Sequence, residues 1–290
     1  MNLRGWLACL LAMSLLSGCV PLAVRPGEPV EAGPLPVRMD AATVYVYRDE
    51  IFGAILPIVV AVNGVDIGAT GAYTFFELDL KPGAYRLESF AGGVSVLDLQ
   101  VEAGKNYFVW QEIKLGQSRA ASLLQAVDES TGSKGVRASR RILASVDPQS
   151  IPPRGAGDPP VPTDYAPSKP PAGKALLYVL REASALGSAQ QFLIEANGRS
   201  LSMAPNGNYR AYVIPPGPIR LVAGVARGRG TALQLDARAG ETVFVRVNVG
   251  FLGPDPALMP EREARELLRQ VSPLGPPVHI DAWRRAKSPL

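Results

Sequence analysis

The sequence predicts a mainly β protein: two antiparallel β-sandwich domains in tandem, each followed by a short helix, with proline-rich linkers. Three observations carry this expectation. Short runs rich in β-branched and aromatic residues alternate with turn residues, with no helical period between them. The order of these runs returns in the second half of the chain at an offset of 133 to 136 residues. The 29 Gly and 27 Pro are more than a helical bundle carries and imply many turns.

Residues 1–18 read as a signal peptide. A basic start (Arg4) leads into the almost wholly apolar run Trp6 to Leu16, which is too short for a membrane-spanning helix of about 20 residues. The ending Leu16-Ser17-Gly18-Cys19 resembles the lipobox of bacterial lipoproteins. In that family the cysteine sulfur receives a diacylglycerol, the peptide is cut just before it, and the new amino group is acylated. The resemblance implies lipid attachment at Cys19; the alternative is an ordinary secretory signal that ends in a cysteine. Val20 after the cysteine resembles the pattern that lets such proteins travel to the outer membrane.

Residues 19–41 form a proline-rich tether. Its 20 residues from 20 to 39 include Pro21, Pro26, Pro29, Pro34 and Pro36 and, as polyproline, would reach roughly 60 Å. The first sandwich is expected over 42–145. Thr43 to Tyr47 opens it, and Pro57 to Val62 runs into the hairpin signal Asn63-Gly64. Tyr73 to Leu80, the turn Lys81-Pro82-Gly83 and Ala84 to Phe90 follow. In Ser95 to Glu102 the apolar Leu97, Leu99 and Val101 alternate with polar residues, as in a half-buried strand. Asn106 to Ile113 and an edge strand over Leu123 to Asp128 complete the set. Ser130 to Ala144 reads as a helix, although Gly132 and Gly135 oppose its first turns.

Nine prolines within 146–173 mark a semi-stiff linker. The second sandwich is expected over 174–272. There Ala175 to Arg181 repeats Ala42 to Arg48, Asn197-Gly198 repeats Asn63-Gly64, and Leu233 to Ala237 repeats Leu97 to Val101. Pro260 to Val271 carries an apolar stripe of Ala264, Leu267, Leu268 and Val271 and closes this copy as a helix. Residues 273–290 read as an irregular, mobile tail with a basic cluster, Arg284, Arg285 and Lys287.

The repeated unit combines a Tyr-Val-Tyr-Arg opening strand (Tyr45 to Arg48), an Asn-Gly turn, a Pro-Gly-x-Tyr turn (Pro82 to Tyr85) and an Ala-Gly-Lys-x-Tyr-Phe hairpin (Ala103 to Phe108). It resembles domain of unknown function family 2846, found in proteobacterial lipoproteins, and its Pro-Gly and Ala-Gly parts resemble PEGA-type β-domains. The likeness is good over 42–145 and weaker over 174–272, where Pro218-Ile219 replaces the tyrosine step. It implies a fold and an envelope setting and carries no catalytic residue across.

Composition narrows the chemistry. Hydrophobic residues make up 47% of the chain, enough for real cores. The net charge of +4 falls by one when Arg4 leaves with the leader, and the remaining basic residues are dispersed, so no nucleic-acid partner is expected. Cys9 leaves with the leader and Cys19 carries lipid, so the mature chain has no disulfide and no cysteine ligand. His279 is the one histidine, which excludes a multi-histidine zinc site, and no phosphate-cradling glycine motif is present. No cofactor or metal is expected. Arg227 to Gly230 suggests an RNA-binding box but fits a hairpin turn better.

Asp49-Glu50 and Asp128-Glu129 are adjacent acidic pairs, with Glu77, Asp79 and Glu112 near strand ends; solvated turns and edges account for them. Trp110, opposite in phase to Tyr107 and Val109, is a candidate exposed aromatic, though its counterpart is Arg246. Arg284, Arg285 and Lys287 are candidate contacts for an anionic surface. The expectation is therefore a non-enzymatic, lipid-anchored component of the cell envelope, placed at the outer membrane facing the periplasm, with an envelope protein as its partner. The alternatives are a glycan- or peptidoglycan-binding module and a carboxylate-dependent cell-wall hydrolase. The low-charge opening strands Thr43–Tyr47 and Leu176–Leu180 are candidates for pairing with a partner's strand if they lie at a sheet edge.

Overall fold

The computed structural model describes residues 34–51, 57–115, 120–155, 165–185, 187, 190–226, 229–250 and 253–283. The leader with Leu16, Ser17, Gly18 and Cys19, and the cluster Arg284, Arg285 and Lys287, lie outside the described residues, as do 156–164 of the linker.

The first half folds into strands β1 (Ala42–Arg48), β2 (Ile58–Val62), β3 (Val65–Thr70), β4 (Thr74–Leu80), β5 (Gly83–Phe90), β6 (Val94–Val101), β7 (Asn106–Leu115) and β8 (Ala120–Val127), then helix α1 (Glu129–Arg137) and strand β9 (Arg140–Ile142). They form two sheets, β8-β7-β1-β4-β9 and β3-β2-β5-β6. The second half supplies β10 (Ala175–Leu180), β11 (Phe192–Ala196), β12 (Arg199–Ala204), β13 (Asn208–Ile214), β14 (Gly217–Ala226), β15 (Arg229–Ala237), β16 (Thr242–Gly250) and β17 (Gly253–Leu258). Helix α2 (Glu261–Leu268) and the short strands β18 (Ser272–Pro273) and β19 (Val278–His279) follow. Its sheets, β17-β16-β10-β13-β18 with β19 also on β13, and β12-β11-β14-β15, repeat the first pair strand for strand. The protein is thus mainly β, with two sandwiches in tandem.

Alternation explains the layers. In β1, Val44 and Val46 enter the core between the two sheets, while Tyr45 and Tyr47 point outward with Phe75 and Phe108 beneath α1. Every residue of β1 is buried. The strand lies mid-sheet, antiparallel to β4 and parallel to β7, with Tyr45 opposite Phe108. Those two rings stack at 5.4 Å, and their counterparts Tyr178 and Phe244 stack at 5.1 Å. β10 sits the same way between β13 and β16. One sheet of each otherwise antiparallel sandwich thus includes parallel pairs, and neither opening strand lies at a sheet edge, so neither meets the condition for pairing with a partner's strand.

The turn signals fold as their chemistry requires. Asn63 and Gly64 have φ of 50° and 77°, and Asn197 and Gly198 have 49° and 79°. In each turn the Asn side-chain oxygen accepts a backbone N–H at 2.8 Å, from Arg86 in the first and Arg220 in the second.

The glycines that seemed to oppose a helix are what let α1 dock. A Cβ on Gly132 would lie 2.2 Å from Phe108, and one on Gly135 would lie 2.0 Å from the Tyr47 ring. The helix also ends sooner than its expected span of 130–144. It stops at Arg137, and the chain re-enters the sheet as β9, parallel to β4. The tail from 273 is likewise not irregular where it is described. β18 and β19 pair with β13, Leu274 and Ile280 are buried, and Trp283 packs on the second core. Leu235 is buried as expected, whereas Leu97, Leu99 and Leu233 are only half-buried because β6 and β15 end their sheets. Asp98 and Gln234 are exposed.

Gly135→Ala should therefore overpack the layer between α1 and the sheet, lowering stability by about 1–3 kcal/mol. Chemical denaturation of the two forms measures this. An unchanged midpoint would mean that α1 does not sit against Tyr47.

Candidate functional site

The candidate site lies on the outward face of the β3-β2-β5-β6 sheet, where the two sandwiches meet. Val60, Val62 and Leu87 point inward, so alternation turns Val59, Ala61, Glu88 and Phe90 outward. Ala61 and Glu88 face each other across β2 and β5. Glu88 is nevertheless fully buried, because Tyr165 from the linker and Leu274 from the second half cover this face. The Tyr165 hydroxyl donates to Glu88 Oε1 at 2.6 Å, and its ring meets Phe90 edge-on at 5.1 Å. Burial is the largest influence on Glu88 and pushes its carboxyl above the usual range, against the Tyr165 hydroxyl, the Gly64 amide and Arg86.

A second contact crosses the same seam. Arg210 Nη2 on β13 donates to Asp66 Oδ2 on β3 at 2.6 Å, with the two side chains 5% and 31% exposed. Gly275 lies against that guanidinium, where a Cβ would come within 2.6 Å of Nη1. The linker therefore does more than space the sandwiches: one of its tyrosines docks into the joint.

The second sandwich keeps a buried carboxylate on the equivalent rung but moves it to the neighbouring strand. Where the first has Ala61 opposite Glu88, the second has Glu195 opposite Val222. Glu195 is 5% exposed. Matching landmarks along the sequence misses this, because the acid changes strand while the rung is preserved.

The interiors diverge as well. In the first sandwich a buried chain of side chains crosses between the sheets. Thr70 donates to Gln111, Gln111 Nε2 to Ser89 Oγ at 2.7 Å, and Ser89 Oγ to Ser122 Oγ at 2.7 Å. The strand registers place Ala204, Val247, Ala223 and Pro254 at these positions in the second sandwich, all apolar. Arg48 and Arg181, which end the two opening strands, are both buried. Arg181 donates to the carbonyls of Gly187, Gln190 and Ala204 at 2.7 to 2.9 Å and lies 4.5 Å over the Phe192 ring, so it ties down the loop before β11.

Among the described residues, those that the sequence singled out serve separate local roles. Trp110 does point away from the inter-sheet core, but it is half-buried beside the aromatic layer under α1, and its indole N–H has no acceptor among the described residues. It is not the exposed aromatic that its phase suggested. Asp128 caps α1, accepting from the Thr131 N–H at 3.0 Å and its hydroxyl at 2.9 Å. Those bonds hold the carboxyl at about 2, so its support of the helix is complete above the ordinary carboxylate range and lost as pH falls through about 2. Asp79 accepts from Thr43 and Arg38, Glu77 from Arg141, Glu112 from Gln125, and Glu50 from the Ile113 N–H. His279 is exposed on β19. Among the described residues no group of three or more His, Cys, Asp and Glu could hold a metal, and no helix is long and apolar enough to cross a membrane.

Comparison with known proteins gives a family description without an activity. The family described as "Protein of unknown function (DUF2846)" matches residues 38–123, from just before β1 into β8. The matched segment contains Glu88 and the polar chain but not Tyr165 or Arg210. An "Uncharacterized protein" of Haemophilus influenzae (strain ATCC 51907 / DSM 11121 / KW20 / Rd) is 29% identical over 126 residues, which are 42% of this chain and 74% of that protein. Among solved structures, "The Bacillus anthracis TIE protein" gives a TM-score of 0.22 at 12% identity, over 72% of this chain and 34% of that one. The chain thus spans about a third of that protein's length. "Pleurotus Ostreatus Lectin (POL), apo form" gives 0.10 at 13% identity, over 67% and 69%. Similarity at those scores carries no argument.

Removing Asp66 would leave Arg210 buried in the seam without its anion. Asp66→Ala should cost about 1–3 kcal/mol, and adding Arg210→Leu should recover part of that loss. Denaturant midpoints of the two single variants, the double variant and the parent measure the coupling; additive losses would mean that the pair does not form.

Proposed function

We propose that the protein is a lipid-anchored component of the cell envelope that works by holding or binding a macromolecular partner, without turning over a small substrate. The observation that carries this reading is the Leu16-Ser17-Gly18-Cys19 ending behind a short apolar run. Acylation at Cys19 would fix one end of the chain in a membrane, and Val20 favours the outer membrane. The tether over 19–41 would then hold the first sandwich clear of the headgroups. Arg284, Arg285 and Lys287 would add a weak, salt-sensitive attraction to an anionic surface. Both sandwiches derive, in this reading, from one duplicated domain of the DUF2846 kind, the second having lost the interior polar chain.

The disposition of the carboxylates supports binding over hydrolysis. A glycosidase needs two carboxyl groups facing one bond, about 5 to 9.5 Å apart across a cleft. Here Asp79, Glu77, Glu112, Glu50 and Asp128 each serve a local cap, strand or turn. Partner binding therefore falls to surfaces of the scaffold.

Two experiments test the reading. Palmitate labelling and mass spectrometry of the mature N-terminus should find a modified Cys19, and Cys19→Ala should abolish the label and leave the precursor uncut. A different mature N-terminus would remove the anchor. Crosslinking in intact cells, run beside the Cys19→Ala form, should capture an envelope protein only with the anchored form. Failure to capture one, together with carboxylate-dependent cleavage of peptidoglycan by the purified protein, would replace this reading with the hydrolase.

A further inference from the structure

The joint between the sandwiches contains a buried carboxyl group on β5, where the second sandwich has Val222. Glu88 is fully buried, it sits on an outward sheet face, and its hydroxyl partner comes from the linker rather than from its own sandwich. We propose that Glu88 and Tyr165 form a pH-sensitive latch, which closes the two sandwiches on each other in mild acid and loosens as the Glu88 carboxyl ionises.

The geometry sets the direction. A carboxylate has about four acceptor sites, and a protonated carboxyl has fewer acceptor sites and one O–H. Only Oε1 of Glu88 is engaged, by Tyr165; Oε2 is buried with no hydrogen-bond partner among the described residues. The Gly64 amide favours the charged form without completing a bond to it. Leaving a charge there without further donors is costly, while the neutral acid fits the same space at less cost.

Among the described residues, the arginines nearest the joint are committed to other carboxylates. On the same sheet Arg86 makes two hydrogen bonds to Asp98, at 2.8 and 3.1 Å. On the facing sandwich Arg210 is bound to Asp66. Arg86 eases the charge on Glu88, Asp98 worsens it, and burial outweighs both. Among the described residues the phenol of Tyr209 acts on Tyr165 as well; burial raises Tyr165 far above the working range, so it stays a donor throughout.

Opening the joint would return Glu88 to water and to its ordinary value near 4.5. The closed form then binds the proton more tightly than the open form. Linkage requires closure to be fully favoured below the ordinary value and to weaken as pH rises through the raised one. Between the two, the ratio of open to closed forms grows by up to about tenfold per pH unit, the limit for one proton. The Asp66–Arg210 pair and Leu274 against Val59 and Phe90 hold the joint meanwhile, so the latch grades closure rather than deciding it alone. This inference does not depend on where the protein resides.

Spin labels on the full-length protein in detergent, with Cys9 and Cys19 replaced by Ser, test it at Leu143→Cys in the first half and Val225→Cys in the second, which are 84% and 64% exposed. Distance distributions would be recorded from pH 4.5 to 8.5. The expected result is one narrow distance in acid and a growing second population as pH rises. Glu88→Gln should keep the narrow distance at every pH, because the amide oxygen still accepts from Tyr165 and carries no charge. Tyr165→Phe should show the second population at lower pH than the parent. Circular dichroism confirms that each variant is folded. A distribution that does not change with pH in the parent, or one that changes alike in the parent and Glu88→Gln, would overturn the latch.

Discussion

Both sandwiches are organised around a strand that is buried on its two faces at once. β1 sends Val44 and Val46 into the core between the sheets and Tyr45 and Tyr47 into a separate layer under α1. A strand in that position must be flanked in its own sheet, which is why β4 and β7 close on either side of it, one antiparallel and one parallel. It must also be roofed, and a helix can approach an aromatic layer closely only where it has no side chain in the way. Gly132 and Gly135 meet that condition. The second sandwich keeps the strand and the stacked ring pair, with Ala264 and Leu267 of α2 as the roof.

The two sandwiches share a scaffold and differ in where they keep polar groups. The first carries a hydrogen-bonded chain through its interior and a carboxyl on its outer face; the second has apolar residues at the positions of that chain and holds its outer carboxylate one strand over. A connected interior chain ties the two sheets to each other, because slipping either one would leave several groups without partners. That constraint falls in the sandwich that the family description covers. The outer carboxyl works differently, since its partner belongs to another part of the chain and can leave.

Much of the fold was legible in the residues. The Asn-Gly turns, the alternation along β1 and the recurring landmarks all rest on local chemistry, and each folds as its spacing implies. The proline-rich stretch was legible too, but not the docking of Tyr165, because nothing local distinguishes a linker tyrosine that packs from one that does not. Trp110 shows the same limit: its phase was right, yet phase says which way a side chain points and not what lies above it. The tail beyond 272 has a composition suited to a loop, and its backbone became strand only because β13 offered it a free side.

The sequence by itself determined most of the strand-forming runs of the first sandwich, the positive-φ turns, the recurrence of those runs in the second half and the lipobox-like ending. These depend on contacts within a few residues or on a pattern that repeats. Only the tertiary structure decided that the opening strands are central, that two glycines help a helix instead of breaking it, and that Glu88 is buried. Each of those follows from what a distant segment brings: β7 to β1, Phe108 and Tyr47 to α1, and Tyr165 and Leu274 to the outer face of the first sandwich. Burial is a property of the neighbours, and for Glu88 those neighbours lie 77 residues and more along the chain.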